Sequence, residues 1–287
     1  MVGDRTTGAV SPPLSDNLPG RLVILGHPIA HSLSPVFQNA ALEAAGHTVR
    51  YEALDVPADL LSSVVEQLRL QHAAGNVTVP HKEAMVALCA RVSPLARRVG
   101  AVNTFCTAAD GQLEGHNTDV LGFGAMADAL GVRRDGARVA CLGAGGAAAA
   151  LCAAVESWPG STVRLHARDA ARAAALAQRF GPQVSAHSSR SEAVHDCTLV
   201  VNATPIGLTG SALPVSVDEI PRDADVMDLV YRVGETAWVH QARQRGHRAA
   251  DGREMLLQQG AAAFTVWFGH PPDVHIMRAA LEAAARG

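Results

Sequence analysis

Short apolar segments alternate with alanine-rich segments of helical period from residue 21 almost to the end of the chain. This alternation is typical of α/β folds, in which helices cover parallel sheets. It predicts strands at residues 21–25, 49–54, 76–79, 101–106, 137–142, 162–166, 198–202 and 225–229. It predicts helices between most of them, at residues 35–45, 59–71, 80–90, 119–130, 147–157, 169–180 and 236–245.

The last segment of the chain carries no strand pattern. It predicts two helices, at residues 253–268 and 272–285. Two earlier helix starts are marked by proline, because proline is favoured in the first turn of a helix. Ser34 before Pro35 is predicted to be an N-cap, and Val79-Pro80 gives a second proline signal.

The predicted strand 137–142 runs into a glycine turn, Gly143-Ala144-Gly145-Gly146, and then into an alanine-rich helix. This order matches the GxGxxA pattern of dinucleotide-binding folds, with the small Ala148 at the position of the third glycine. Glycines allow the tight turn, and the first N–H groups of the helix can then approach a pyrophosphate. The segment predicts a dinucleotide site.

Composition narrows the classes of function. With a net charge of -3 and 4% aromatic residues, the chain lacks the basic stripe and stacking surfaces of a nucleic-acid-binding protein. The five cysteines include no CxxC pair and the 13 histidines no HExxH pair, so neither a disulfide framework nor a metal site is predicted. Residues 1–19 lack an apolar core and are predicted to be a flexible tail. No apolar run has the length of a membrane span, and a cytoplasmic protein is expected.

One lysine, Lys82, stands among the 24 basic residues. Arginine keeps its proton near neutral pH, whereas burial and neighbouring charges can make a lysine a proton carrier. Lys82 is either a survivor of a coding bias toward arginine or a chemically required residue. Asn103 and Asp119 follow it along the chain, and an amide and a carboxylate near a lone lysine favour a reaction centre.

Two hydroxyls, Ser32 and Ser34, lie where the first predicted strand passes into the first predicted helix. Hydroxyls near the free N–H groups of a helix suit a carboxylate or phosphate ligand. The alternative is structural, with Ser34 as an N-cap and Ser32 as a loop residue.

Taken together, the motifs resemble the shikimate dehydrogenase family over nearly all of the chain after the tail. The segments that carry the resemblance are GHPIAHSLSP (26–35), GNVTVPHK (75–82), GAVNT (100–104), NTD (117–119), GAGGA (143–147), NATPIGL (202–208), DLVY (228–231) and MLLQQGAAAFTVW (255–267). The resemblance implies two α/β lobes. Residues 20–118 and 252–287 would form the substrate-binding catalytic domain, and residues 119–251 an NADP-binding Rossmann domain, with the C-terminal helices returning to the first lobe.

The resemblance also implies roles for individual residues. Lys82 would transfer the proton, paired with Asp119. The substrate would be held, at its carboxylate or ring hydroxyls, by Ser32, Ser34, Thr78, Asn103, Asp119, Tyr231 and Gln259. The cofactor would be bound by Gly143, Ala144, Gly145, Gly146, Ala147, Arg168, Asp169, Thr204, Leu229, Gly252 and Met255. Structural alternatives remain open: Thr78 and Asn103 as caps of turns, and Met255 and Trp267 as core residues.

The sequence departs from the family at three places. Ala167 and Asp169 replace the asparagine and threonine of the family's Asn-Arg-Thr cofactor motif, so that only Arg168 is retained. Asp169 is either a helix cap, which leaves NADP preferred, or a ribose ligand, which favours NAD. Gln38 stands where the family often has histidine, and Val233 replaces a frequent proline after Tyr231.

The predicted function is the reversible, NADP-dependent reduction of 3-dehydroshikimate to shikimate in the biosynthesis of aromatic amino acids. The expected partners are this substrate pair and NADP, with NAD as an alternative, in a monomer or homodimer without nucleic acid or membrane. A quinate or aminoshikimate dehydrogenase is the nearest alternative, and a folate-dependent dehydrogenase is a more distant one. A shikimate-sensing paralogue without activity should have lost Lys82 or Asp119, and both are present.

Overall fold

A computed structural model describes residues 19–286, so that all but the last residue of the predicted tail lies outside the described part. The chain forms two six-stranded sheets. The strands of the first are β1 (Arg21–Gly26), β2 (Tyr51–Asp55), β3 (Ala73–Val77), β4 (Arg91–Val92), β5 (Thr104–Thr107) and β6 (Leu113–His116). Their order across the sheet is β2-β1-β3-β5-β6-β4.

The first sheet is mixed, which corrects the expectation of parallel sheets alone. β1 is parallel to β2 and β3, whereas β5 is antiparallel to both β3 and β6. The helices of this part are α1 (Ser34–Ala44), α2 (Leu61–Leu70), α3 (Met85–Leu88) and α4 (Pro94–Val99), together with α10 (Arg253–Phe268) and α11 (Val274–Ala285). Short 3₁₀ turns lie at Ala58–Leu60 and Val217–Glu219.

Both faces of the first sheet are buried, as side chains along β1 show. Leu22 and Ile24 belong to the core under α1, α10 and α11. Val23 and Leu25 belong to a second core on the opposite face. Because successive side chains of a strand point to opposite faces, the continuous apolar run of β1 supplies both cores.

All five strand pairings of the second sheet are parallel. Its strands are β7 (Arg138–Leu142), β8 (Thr162–His166), β9 (Val184–Ala186), β10 (Leu199–Asn202), β11 (Asp225–Asp228) and β12 (Ala249–Ala250). Its helices are α5 (Asp119–Leu130), α6 (Gly146–Val155), α7 (Ala170–Phe180), α8 (Arg190–Val194) and α9 (Ala237–Gln244). The strand order β9-β8-β7-β10-β11-β12 is that of a Rossmann fold. The chain adds strands outward from β7 to β9 on one side and from β10 to β12 on the other, so the strand order reverses between β7 and β10.

The two halves of the fold meet where α5 packs against α10. A Cβ atom on Gly122 of α5 would lie 2.7 Å from the carbonyl oxygen of Met255 and 3.0 Å from Cβ of Gln259. Glycine at position 122 therefore permits the two helices to approach closely. This contact places the start of α5 beside the side chain of Gln259.

Two predicted helix starts were wrong. The helix predicted at 80–90 is reduced to Met85–Leu88, because the carbonyl of Lys82 accepts a hydrogen bond from the N–H of Val102 at 2.8 Å. That long-range bond replaces a helical one at Lys82. Ser34 is the first residue of α1 and not its N-cap, which is Leu33 without a capping side chain. No helix among residues 19–286 is long and apolar enough to cross a membrane.

Candidate active site

The predicted substrate residues meet at one edge of the first sheet. β1 and β3 are parallel, so the segments that follow them, with Ser32 and Lys82, leave the sheet at the same edge. Asn103 precedes β5, which is antiparallel to β3, and therefore lies at that edge as well. β6 is antiparallel to β5 and ends there, shortly before Asp119. The sheet pairing alone brings these distant residues together.

Lys82 and Asp119 form a hydrogen-bonded ion pair. Lys82 Nζ donates to Asp119 Oδ2 at 2.7 Å, with 18% of the lysine side chain and 5% of the aspartate side chain exposed. Asp119 is the first residue of α5, where the N-terminal end of the helix stabilises a negative charge. The ammonium is therefore held in one position by an immobilised carboxylate, and the lysine side chain stays partly exposed.

The buried amide of Asn103 fixes the second oxygen of this carboxylate. Its Nδ2 donates to Asp119 Oδ1 at 2.9 Å, while its Oδ1 accepts a bond from the N–H of Thr118 at 2.7 Å. Asn103 therefore caps a turn, which is the structural role left open for it, and it also orients Asp119. Gln259 Oε1 lies 3.4 Å from the same amide nitrogen, which brings α10 into the cluster.

Thr78 directly follows β3, at the same edge of the sheet. Its N–H donates to the carbonyl of Leu25 at 2.8 Å, and a Cβ on Gly26 would lie 2.5 Å from its methyl group. His81, the residue before Lys82, is buried and bonds to the carbonyl of Val56 at 2.6 Å.

Ser32, Ser34 and Tyr231 approach one another at the start of α1. Ser32 Oγ accepts a bond from the N–H of Ser34 at 3.3 Å, and Ser34 is 3% exposed. Burial raises the pKa of the Tyr231 phenol, and hydrogen bonds from Ser32 and the Leu33 backbone partly offset this rise. The phenol is therefore neutral near pH 7 and belongs to the same polar group as the serines.

The glycine turn after β7 has the geometry that close approach of a phosphate requires. Gly143 has φ +130°, and a Cβ there would lie 2.6 Å from the carbonyl oxygen of Ala203. Gly145 precedes α6 in an extended conformation, and a Cβ there would meet nothing within 4 Å. Ala148 is fully buried, as the third position of the pattern requires. Together with Ala144 and Ala147, these residues offer a free helix N-terminus to a pyrophosphate.

Lys82 lies directly beside this turn. A Cβ on Gly146 would lie 3.6 Å from Cδ of Lys82 and 3.5 Å from Cβ of Ala101. The glycine turn borders a cleft that Glu83 and Arg172 also line, and Lys82 contacts this turn. A dinucleotide bound at the turn would lie next to the lysine.

Asp169 caps α7, as one of its two predicted roles required. Its carboxylate accepts bonds from the N–H groups of Ala171 and Arg172, both at 3.1 Å. Arg168 is exposed at the end of β8 and forms no ion pair within residues 19–286. Arg172 instead pairs with Glu83, at 2.6 Å, across the cleft.

Four further predicted cofactor residues surround the carboxyl ends of β10 and β11. Asn202 organises them. Its Oδ1 accepts bonds from Thr204 Oγ1 at 2.6 Å and from the N–H of Thr204 at 3.0 Å, and its backbone carbonyl accepts one from Leu229. A Cβ on Gly252 would lie 2.4 Å from the carbonyl oxygen of Leu229. Met255 is 7% exposed and packs against the core of the second sheet, as its structural alternative required.

Sequence reasoning missed two supporting residues, Thr118 and Asn202. Both are buried, and both hold a predicted site residue through their hydrogen bonds. Asn202 Nδ2 also donates to Asp228 Oδ1 at 2.8 Å. Their positions in the sequence could have indicated them, because a polar residue at the carboxyl end of a buried strand is typical of a binding site. Trp267, left open above, is a core residue whose indole N–H donates to the carbonyl of Phe105 at 3.2 Å.

Comparison with known proteins identifies the family. Residues 24–105 match the family model of the shikimate dehydrogenase substrate binding domain, and residues 252–282 match that of the shikimate 5'-dehydrogenase C-terminal domain. The chain is 40% identical over 286 residues to the NADP(+) shikimate dehydrogenase of Symbiobacterium thermophilum, covering 94% of this chain and 96% of the relative. The chain belongs to the shikimate dehydrogenase family.

Solved structures of the family and its neighbours share the fold. Shikimate 5-dehydrogenase of Thermus thermophilus, in complex with NADP(H) and shikimate, superposes with a TM-score of 0.83 at 39% identity and covers 92% of this chain and 99% of its own. Quinate dehydrogenase of Corynebacterium glutamicum, in complex with NAD, superposes with a TM-score of 0.82 at 29% identity and covers 93% and 100%. These likenesses confirm the predicted two-lobed α/β fold with a Rossmann-type lobe.

Proposed function

We propose that Lys82 and Asp119 form the proton-transfer pair while this chain reduces 3-dehydroshikimate to shikimate with NADPH, and catalyses the reverse reaction with NADP. The activity follows from family membership, since relatives 40% identical over nearly the whole chain are NADP-dependent shikimate dehydrogenases. The predicted enzyme class, cofactor and place in aromatic amino-acid biosynthesis are thereby confirmed. The residue roles are our proposal.

One observation carries the proposed role of Lys82: the lysine lies between the carboxylate of Asp119 and the glycine turn at Gly146. Reduction of a ketone adds a hydride to the carbonyl carbon and a proton to its oxygen. Bound NADPH supplies the hydride, which is the chemistry of its nicotinamide ring. The protein has to supply orientation and the proton, and Lys82, the single lysine of the sequence, is a titratable cation where the two predicted sites meet.

In the reducing direction, the Lys82 ammonium donates its proton to the developing alkoxide, and in the oxidising direction the amine accepts it. Asp119 and Asn103 hold the lysine in place, so that little reorganisation is needed in the transition state. A positioned acid–base group of this kind contributes roughly 10²–10⁴ in rate.

The proposed substrate contacts divide by charge. Ser32 and Ser34, with Tyr231 beside them, donate hydrogen bonds to the carboxylate of the substrate. The ring hydroxyls are held by Thr78, Asn103, Asp119 and Gln259. The support for this assignment is that these uncharged hydroxyls and the hydrogen-bond network around the ion pair of Lys82 and Asp119 lie at the same edge of one sheet.

The residues present fit a bound NADP. The pyrophosphate is held at the turn formed by Gly143, Ala144, Gly145, Gly146 and Ala147, where a side chain at Gly145 would occupy open space. Thr204, Leu229, Gly252 and Met255 form the nicotinamide end. Arg168 pairs with the 2′-phosphate of NADP, because Asp169 is engaged in capping α7 and its carboxylate faces the helix.

We also propose the domain division, the location in the cell and the oligomeric state of the protein. Residues 20–118 and 252–287 form the catalytic domain and residues 119–251 the Rossmann domain, in a cytoplasmic monomer or homodimer. The support for the division is that each range contains one of the two sheets, with α10 and α11 returning to the first.

A matrix of initial rates tests the substrate and cofactor assignment: shikimate and quinate, each with NADP and with NAD. We expect shikimate with NADP to give the highest kcat/KM, measured as nicotinamide absorbance growing with time. Quinate dehydrogenase is the second candidate, since the quinate enzyme described above shares the fold at 29% identity. A higher kcat/KM for quinate, or for NAD, would make that candidate correct.

A further inference from the structure

The hairpin of β5 and β6 brings three metal-binding side chains to one face of the first sheet. Cys106 lies directly opposite Glu114 in the antiparallel register, and His116 is two residues from Glu114 on the same strand. Side chains two residues apart on a strand share a face. One ligand atom from each residue lies within 4.8 Å of the other two.

One ring nitrogen of His116, Nε2, is buried without a hydrogen-bond partner among the described residues. Buried polar nitrogens nearly always have one. A neutral imidazole keeps a lone pair on one ring nitrogen, which can bind a metal.

We propose that Cys106, Glu114 and His116 bind one Zn²⁺ ion. A thiolate, a carboxylate and an imidazole are the three side-chain ligands that zinc uses, at about 2.0–2.3 Å, with water completing a tetrahedron. The sulfur ligand disfavours Mg²⁺ and Ca²⁺, which prefer oxygen. Ligand atoms less than 4.8 Å apart need only small side-chain movements to reach these distances.

The surroundings orient the proposed ligands. Arg91 Nε donates to Glu114 Oε1 at 2.7 Å, which leaves Oε2 facing His116 Nε2 at 3.9 Å. A hydrogen-bonded carboxylate is the usual arrangement behind a metal ligand. Cys106 is 3% exposed, and its thiol has to release a proton when zinc binds.

The proposed site borders the active site. The carbonyl of His116 accepts a bond from the N–H of Asn103 at 3.1 Å, and Asp119 follows His116 by three residues. A metal that joins β5 to β6 would stabilise the hairpin on which Asn103 and Asp119 depend. Spacing rules did not predict this site because its ligands come from two paired strands.

The test uses metal-free full-length protein, titrated first with Co²⁺ and then with Zn²⁺. We expect one Co²⁺ per chain with a near-ultraviolet thiolate-to-cobalt band, displaced by Zn²⁺, and a higher thermal midpoint with Zn²⁺ present. Cys106→Ser should abolish the thiolate band. Cys106→Ser and His116→Gln should each weaken Zn²⁺ binding by roughly tenfold or more.

Two variants serve as controls. Cys89 packs against Gly115 of the same hairpin, and His240 pairs with Glu235 at 3.3 Å on the surface. Cys89→Ser and His240→Gln should leave Co²⁺ and Zn²⁺ binding unchanged. The proposal is wrong if the parent shows no thiolate band, or if the band persists in Cys106→Ser. Should Cys106→Ser fail to fold, Zn²⁺ binding by His116→Gln at parental affinity would overturn the proposal.

Discussion

Lys82 packs against the glycine turn of the opposite half of the molecule: a Cβ atom on Gly146 would lie 3.6 Å from Cδ of the lysine. The same lysine reaches Asp119 at 2.7 Å through its terminal nitrogen. One side chain therefore connects the edge of the mixed sheet with the N-terminal end of α6. Changes at this contact should separate substrate binding, cofactor binding and chemistry.

Ser32→Ala and Ser34→Ala should each raise KM for shikimate and leave KM for NADP nearly unchanged. Each removes a hydrogen bond to a carboxylate, worth about 1.5–3 kcal/mol, or roughly 10- to 150-fold in affinity. Steady-state kinetics measure both constants. Ser63→Ala removes an exposed hydroxyl in α2 and should change neither. A rise in KM for NADP alone would place the serines at the cofactor.

Arg168→Ala should weaken NADP by about 1.5–3 kcal/mol and leave NAD almost unchanged, because only NADP carries the 2′-phosphate. Fluorescence titration with each reduced cofactor measures the two affinities. Arg164→Ala is the matched control, since Arg164 lies on β8, four residues before Arg168, but bonds to the carbonyl of His195. Equal losses for both cofactors, or a parent that favours NAD, would make Asp169 the ribose ligand.

Gly143→Ala and Gly145→Ala should fail in different ways. Alanine at 143 would have to adopt φ +130° and contact the carbonyl of Ala203 at 2.6 Å, so it should lower the thermal midpoint of unfolding. Alanine at 145 fits the backbone and meets nothing, so it should unfold near the parental temperature yet bind NADP more weakly. Calorimetry and cofactor titration together distinguish the two. If Gly145→Ala bound NADP with the parental affinity, the assignment of the pyrophosphate to this turn would be wrong.

The sequence predicted long helices with marked ends well. α5 at Asp119–Leu130 and α10 at Arg253–Phe268 begin and end as predicted, because each is a long segment that stops at a glycine in the left-handed conformation, Gly131 and Gly269. Four short strands, β4, β6, β9 and β12, were missed because two to four residues show no clear period. The antiparallel hairpin and the mixed first sheet were missed with them.

Long-range hydrogen bonds account for the remaining errors at the site. The proline at position 80 predicted a helix through Lys82, but the bond from Val102 N–H to the Lys82 carbonyl holds that segment as turns. The family resemblance predicted which residues meet. It could not predict Thr118 and Asn202 as supports, because their role exists only in the folded network.

The proton-transfer proposal is tested most directly by the rate of 3-dehydroshikimate reduction in Lys82→Ala and Lys82→Arg, with the parent as reference. We expect kcat to fall by roughly 10²–10⁴ in Lys82→Ala, with KM for both ligands changed only a few-fold. Lys82→Arg should not restore the rate, because the guanidinium keeps its proton. An arginine variant within a few-fold of the parental kcat would contradict the assignment of Lys82 as the proton donor.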